Sequence, residues 1–114
     1  MKHLLFFAAF WTLAIGAIRA QTPMYQADFK HDLFHCNLLI APDEAAAAYY
    51  DYNFDSVAAC SMRFLDNGDF QTIDNETGSV NYFQHLYGDT YVLHTEAFGV
   101  TLKAQGTFKP ATME

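Results

Sequence analysis

Polar and apolar residues alternate without a break from residue 100 to residue 109, and this pattern constrains the fold more than any other. Successive side chains of a β-strand point to opposite faces, so such a segment has one buried face and one wet face. This arrangement is typical of antiparallel sheets. The face predicted to be buried carries Val100, Leu102, Ala104, Gly106 and Phe108.

Short turns separate further strand candidates upstream. Asp66-Asn67-Gly68-Asp69 indicates a hairpin, because Asn-Gly accepts the positive φ angles of tight primed turns. It divides strand candidates at residues 59–65 and 70–74, and turns at Thr77-Gly78 and Gly88-Asp89 bound two more at 80–87 and 90–95. Strands joined by such short turns pair with their sequence neighbours. The sequence therefore predicts a mostly β fold, an antiparallel up-and-down meander.

The segment before residue 50 has a different character. Pro42, Asp43 and Glu44 precede four alanines, which predicts a short helix: proline suits the first turn, acids complement the helix dipole and alanine favours helix. Residues 31–40 are apolar enough to be packed but too short to be assigned to helix or strand by period. Residues 21–29 show no period and are expected to form an arm or a tail.

Residues 1–20 have the order of a cleaved signal peptide. Lys2 precedes an apolar run over residues 4–15, and small residues follow at Gly16, Ala17 and Ala20. The run is about twelve residues long, whereas a membrane-spanning helix needs about twenty. We therefore expect a secreted, extracellular protein whose single domain occupies residues 21–114, with no membrane span.

The expected mature chain is strongly acidic. Four Lys and Arg side chains remain against thirteen acids, a net charge of −9 with neutral His. This charge disfavours nucleic acid, since phosphates would be repelled, and disfavours anionic membranes for the same reason. Apolar residues make up 52% of the full 114-residue chain, and the apolar and aromatic content is too high for a disordered chain.

Two features follow from an oxidising compartment. Cys36 and Cys60 are candidates for a disulfide, whose closed loop of 24 residues would stabilise the fold by about 3 kcal/mol on the chain-entropy model. Asn75-Glu76-Thr77 is a glycosylation sequon, which predicts that Asn75 lies on the outside if it is modified.

Residues 49–109 resemble the first half of a lipocalin of the apolipoprotein D and insect bilin-binding type. Tyr49-Tyr50-Asp51 stands where that family has Trp-Tyr-Glu at the start of its first strand, and Cys60 matches a cysteine that opens the next strand. Residues 63–70 (RFLDNGDF) match the following hairpin, and residues 105–110 (QGTFKP) match a Gly-Thr-Ala stretch. The sequence departs from the family in lacking the Gly-x-Trp signature, and we expect a truncated domain without the family's later strands.

Five or so strands cannot close into a barrel as eight do. We therefore expect a partial, open lipocalin-like barrel, whose free sheet edge would permit a homodimer. The resemblance implies a carrier of a small hydrophobic ligand such as a lipid, pigment or semiochemical, although each residue of the implied lining also suits an ordinary core. The implied ligand-binding side chains are Tyr50, Tyr52, Met62, Phe64, Phe70, Tyr82, Leu93, Leu102 and Phe108.

Signals for chemistry are weak. On a helix, His31 and His35 would share one face and could hold zinc, but no third ligand is evident, so no metal or other cofactor is expected. His85, Asp89 and His94 surround one predicted hairpin without an activated nucleophile. The sequence predicts no enzyme, and the alternative to a carrier is a secreted protein–protein interaction module without a ligand cavity.

Overall fold

The computed structural model describes residues 22–111, and the predicted signal peptide lies outside them. The described residues form one antiparallel sheet of nine strands, in which each of the first eight strands pairs with its sequence neighbours and the last strand pairs with the first. The strands are β1 (Tyr25–His31), β2 (Phe34–Ala41), β3 (Ala46–Asp51), β4 (Ser56–Phe64), β5 (Phe70–Asp74), β6 (Val80–Tyr87), β7 (Thr90–Ala97), β8 (Val100–Thr107) and β9 (Lys109–Pro110).

The meander curls into a nearly closed barrel because β8 comes back against β1. At Gly106 a Cβ atom would lie 2.5 Å from the carbonyl oxygen of Asp28 and 2.8 Å from two ring carbons of Phe29. Only glycine permits so close an approach of two backbones. The short strand β9 then pairs with β1, Gln26 lying opposite Lys109.

The expectation of an open sheet of about five strands is therefore wrong. The residues before position 52, expected to contribute an arm, a packed segment and a helix, supply three strands instead. With these strands the sheet has enough members to curl round on itself, as eight-stranded barrels do. The free edge invoked for a homodimer is largely lost.

The predicted helix is wrong as well. Pro42–Glu44 forms a single 3₁₀ turn that ends at Ala45 in the left-handed region (φ 50°), and the remaining alanines belong to β3. That strand pairs with β2 on one side and β4 on the other, and Ala47 and Ala48 are buried. Two ladders of backbone hydrogen bonds and the close packing of small side chains outweigh the helix propensity of alanine, which is a weak preference.

The strands predicted in the second half of the chain are confirmed. The hairpin turn after β4 is fastened by the Leu65 amide, which donates to the Asp69 carbonyl over 2.9 Å, and Gly68 takes a φ of 90°. On β8 the predicted face is buried except at its start, where Val100 is 53% exposed beside the β7–β8 turn.

The two ends of the barrel differ in their filling. The plug end, defined by the connections at residues 42–45, 65–69 and 88–89, is filled by aromatic rings. Phe70 stacks on Phe83 at 4.8 Å, and Phe29 and Tyr91 meet these rings edge-on. Such ring pairs add to the free energy of burying their large apolar surfaces. The cup end, defined by the turns at residues 32–33, 52–55, 75–79 and 98–99, is not filled in this way.

A second cluster lies on the outer face of β2 and β3. Leu39 and Ala48 are fully buried there, and Met24 packs with them. Tyr50 belongs to this cluster and Tyr52 packs against it, so both rings point away from the barrel interior. Along β2 both faces are consequently buried, which explains why its sequence shows no period of two.

Candidate functional site

A cavity of about 460 Å³ opens at the cup end, among β3, β4, β5, β6 and β7. We call it the cup. Its lining combines apolar surface with hydroxyl, thiol, amide and carboxylate groups. The side chains that matter for its chemistry are Tyr49, Cys60, Thr72, Asp74, Asn81 and Thr95.

The register of β5 and β6 explains why the barrel interior is apolar at the plug end and polar at the cup end. On β5 the inward positions are Phe70, Thr72 and Asp74, in order from the plug end to the cup end. On β6 the corresponding positions are Phe83 and Asn81, which lie opposite Phe70 and Thr72. Alternation places all five side chains inside, and the polar ones collect in the cup.

Thr72 is the most buried of the residues that line the cup. It is 1% exposed and lies between Met62 on β4 and Asn81 on β6. Among residues 22–111 its hydroxyl has no hydrogen-bond partner. A buried polar group left without a partner costs about 1–3 kcal/mol, so such a group calls for an explanation.

The predicted disulfide between Cys36 and Cys60 is not found in the structure, where both are free, buried thiols. Cys36 lies opposite Asp51, which lies opposite Ser56, and Ser56 is four residues from Cys60. At about 3.3 Å per residue this offset separates the cysteines by about 13 Å along the strands, whereas a disulfide needs Cα atoms within about 7 Å.

Both thiols are held in the neutral form. Burial raises the pKa of Cys36 to about 12 and that of Cys60 to about 12. Burial, reinforced by the neighbouring Cys36, also raises the pKa of Tyr49, so its hydroxyl stays protonated. Tyr49 and Cys60 therefore offer hydrogen-bonding groups to the cup, and neither thiol is present as a thiolate at neutral pH.

The mouth of the cup is acidic. Asp74 and Glu96 contribute to its lining, which contains no Lys, Arg or His side chain. One carboxylate oxygen of Asp74 (Oδ1) accepts the backbone N–H groups of Glu76 (2.8 Å) and Thr77 (3.1 Å), which fixes the carboxylate in place. The Thr101 hydroxyl donates to the carboxylate of Glu96.

Of the nine side chains implied as ligand-binding, five lie inside the barrel: Met62, Phe70, Leu93, Leu102 and Phe108. The other four do not. Besides Tyr50 and Tyr52, Tyr82 faces outward, where its hydroxyl donates to the carboxylate of Asp69, and Phe64 is 54% exposed at the end of β4. None of the nine lines the cup.

The residues that do line the cup carried a signal in the sequence. Thr72 and Asp74 continue the inward face that begins at Phe70, so the alternation of β5 already placed them inside. Polar residues at inward positions of an alternating strand are therefore the sequence signal for this lining.

The histidines noted in the sequence do not form a site. His31 ends β1 and His35 lies in β2, so they do not share a helical face. His35 is bonded to Asp28 and stacks on the Tyr52 ring at 3.9 Å. No group of three or more His, Cys, Asp or Glu side chains suited to a metal occurs among residues 22–111.

His85 and His94 lie on opposite faces of the β6–β7 hairpin. His85 Nε2 is bonded to the Gly88 carbonyl, and His94 Nε2 to the Gln84 side chain. The two histidines that surround this hairpin therefore do not form one site.

The four turns of the cup end, which we call the rim, carry exposed apolar side chains. Leu33, Phe54 and Phe98 occupy three of its four turns and are 52%, 80% and 78% exposed. Phe98 also has a φ of 55°, an unusual conformation for a bulky residue. The fourth turn carries the exposed sequon residue Asn75.

Comparison with protein-family models, curated proteins and solved structures gives no match. Within residues 22–111 no helix is long and apolar enough to cross a membrane.

Proposed function

We propose that this protein is a secreted carrier that binds a small, largely hydrophobic molecule in the cup, in the manner of the lipocalins. The observation that carries the proposal is the cup itself, a cavity of about 460 Å³ in a nearly closed barrel, with the unpartnered Thr72 hydroxyl at its base. Small-molecule sites are typically concavities of about 300–1,000 Å³ with a few placed polar groups. Eight-stranded barrels are wide enough to hold one small ligand.

The resemblance to lipocalins supports this proposal in a limited way. Tyr49-Tyr50-Asp51, which would begin the first strand of that family, lies in the third strand here. The resemblance therefore argues for a barrel with a cup and not for a strand-by-strand correspondence.

Binding in the cup involves no chemical step in this proposal. Ala58 and Val80 supply apolar wall, and Tyr49 supplies an aromatic ring with a hydroxyl. Affinity comes from the apolar area removed from water, about 25 cal/mol per Å², and the polar groups orient the ligand. Cys60, the strongest potential nucleophile in the cup, is kept as a thiol by the burial that raises its pKa to about 12.

Titration with the uncharged fluorophore N-phenyl-1-naphthylamine tests the proposal. We expect saturable enhancement with one site per chain. Thr72→Phe and, independently, Ala58→Leu place bulk in the cup and should abolish the enhancement. Gln71→Phe, on the outer face of the same strand, is the matched control and should bind as the unmodified protein does.

Circular dichroism of each variant establishes that it is folded. The carrier proposal fails if the folded, unmodified protein gives no saturable enhancement, or if both cup-filling variants retain it.

The rim favours a second candidate, the interaction module. Three apolar side chains held in solvent at one end of a barrel are suited to contact a partner surface. Under this alternative, Phe54→Ser and Phe98→Asn should weaken fluorophore binding or self-association, whereas the cup-filling variants should not.

A further inference from the structure

We infer that the ligand of the cup is a small amine, bound through its protonated nitrogen to Asp74 and through a second polar group to Thr72. The inference rests on the proposed carrier function and adds the chemical class of the ligand. It is carried by the charge of the lining, the fixed carboxylate at the mouth and the unpartnered hydroxyl below it.

The charge of the lining selects against anions. Two carboxylates, those of Asp74 and Glu96, border the cup and no basic side chain does. The expected mature chain has a net charge of −9. A fatty acid or other carboxylate would therefore enter against repulsion at the mouth, while a cation is attracted.

Asp74 is arranged as a receptor for such a cation. Its Oδ1 atom accepts two backbone N–H groups, which hold the carboxylate, while Oδ2 makes no hydrogen bond among residues 22–111. Asp74 lies on the inward face opposite Cys60, at the upper wall of the cup. An ammonium group can donate to Oδ2 without disturbing the turn, and charge-assisted hydrogen bonds of this kind are about twice as strong as neutral ones.

Thr72 is positioned to bind the end of the ligand opposite its amine. It is the next inward residue below Asp74 on β5, about 7 Å deeper along the strand. The residue is 1% exposed, and its hydroxyl is unpartnered within residues 22–111. A ligand group that donates to or accepts from this hydroxyl would satisfy it, so the cup is matched to an amine with a hydrogen-bonding atom roughly 7 Å from its nitrogen.

Displacement of N-phenyl-1-naphthylamine by matched probes tests the inference. Tyramine, tyrosol and 3-(4-hydroxyphenyl)propionate share a phenol and differ in carrying a cation, a neutral hydroxyl or an anion. We expect tyramine to displace the fluorophore at about tenfold lower concentration than tyrosol, and the propionate to be weakest. 2-Phenylethylamine, which lacks the phenol hydroxyl, should be severalfold weaker than tyramine.

Three variants assign the contacts. Asp74→Asn keeps the Oδ1 acceptor for the turn and should equalise tyramine and tyrosol. Asp43→Asn makes the same change of charge at an exposed site at the plug end and should leave the preference intact. Thr72→Val should remove the advantage of tyramine over 2-phenylethylamine.

The outcomes separate this inference from the carrier proposal. If the fluorophore binds in the cup but tyramine and tyrosol displace it equally, or the propionate is tightest, the amine assignment is overturned and the carrier stands. A preference for tyramine that persists in Asp74→Asn also overturns it. If the fluorophore does not bind at all, the carrier proposal fails and the amine assignment with it.

Discussion

Replacing Gly106 with alanine tests how the barrel closes. The added Cβ would lie 2.5 Å from the Asp28 carbonyl oxygen, about 0.9 Å inside the 3.4 Å at which ordinary contact begins. It would also lie 2.8 Å from two carbons of the Phe29 ring, which is 0% exposed and packs edge-on against Phe83 and Phe108. Since one obstacle is backbone, β8 must move away from β1.

Overpacking a well-filled site typically costs 1–3 kcal/mol, and the backbone contact places Gly106→Ala at the upper end, about 3 kcal/mol. In a domain of this size that loss lowers Tm by roughly 10–25 °C. Urea denaturation followed by far-ultraviolet circular dichroism measures it.

Gly78→Ala is the control, because nothing lies within 4 Å of its Cβ position and only the positive φ of 78° opposes the substitution. It should cost about 1 kcal/mol. If Gly106→Ala is no more destabilising than Gly78→Ala, then β8 does not pack against β1 as described.

Three further outcomes are expected. Thr72→Val removes the unpartnered hydroxyl with little change of shape, so it should raise the free energy of unfolding by about 1 kcal/mol, as measured by urea denaturation. If the variant instead loses about 1 kcal/mol of stability, the hydroxyl has a hydrogen-bond partner inside the fold. Cys36 and Cys60 should not react with Ellman's reagent at pH 8 in the folded protein, because burial raises the pKa of each thiol to about 12. Two reactive thiols should appear when the protein is unfolded in guanidinium. If no thiol reacts in either the folded or the unfolded protein, the two cysteines form a disulfide. The hydrogen bond from Tyr82 lowers the pKa of Asp69, helped by a backbone N–H, so the folded pKa lies below the unfolded value of about 4. The stability that this carboxylate contributes is then complete above pH 4 and is lost as the pH falls through the folded pKa. Asp69→Asn should therefore be less stable than the unmodified protein at pH 7 and should lose less stability on acidification. Parallel profiles of unfolding free energy against pH for the two proteins would contradict this.

The sequence predicted β5 to β8 well because their signals are local. Asn67-Gly68 specifies its turn by backbone chemistry, and alternation in residues 100–109 reports a sheet with one buried face. The first three strands were missed for non-local reasons. β2 is buried on both faces, so its sequence shows no period of two. The alanines of β3 form a strand because they pair with β2 and β4, although alanine by itself favours helix.

Closure of the barrel was also beyond the sequence, since it depends on the contact of Gly106 with Asp28, nearly eighty residues apart. Only some of the interior residues were predicted correctly, because the face on which a residue lies also depends on the pairing of its strand. The resemblance to lipocalins implied that Phe70 and Leu93 lie inside, which they do. It also implied Tyr50, whereas the interior residue of β3 is its neighbour Tyr49, and a shift of one residue exchanges the two faces of a strand.

The most direct test of the carrier account is a measurement of intermolecular nuclear Overhauser effects between bound N-phenyl-1-naphthylamine and the methyl groups of the isotopically labelled protein. We expect contacts from the fluorophore to Ala58, Thr72 and Thr95, whose methyl groups belong to residues that line the cup. If a saturated complex gives contacts only to the exposed residues Leu33, in the rim, and Val100, next to it, the result would contradict a cup that holds small molecules and would support a surface that meets a partner.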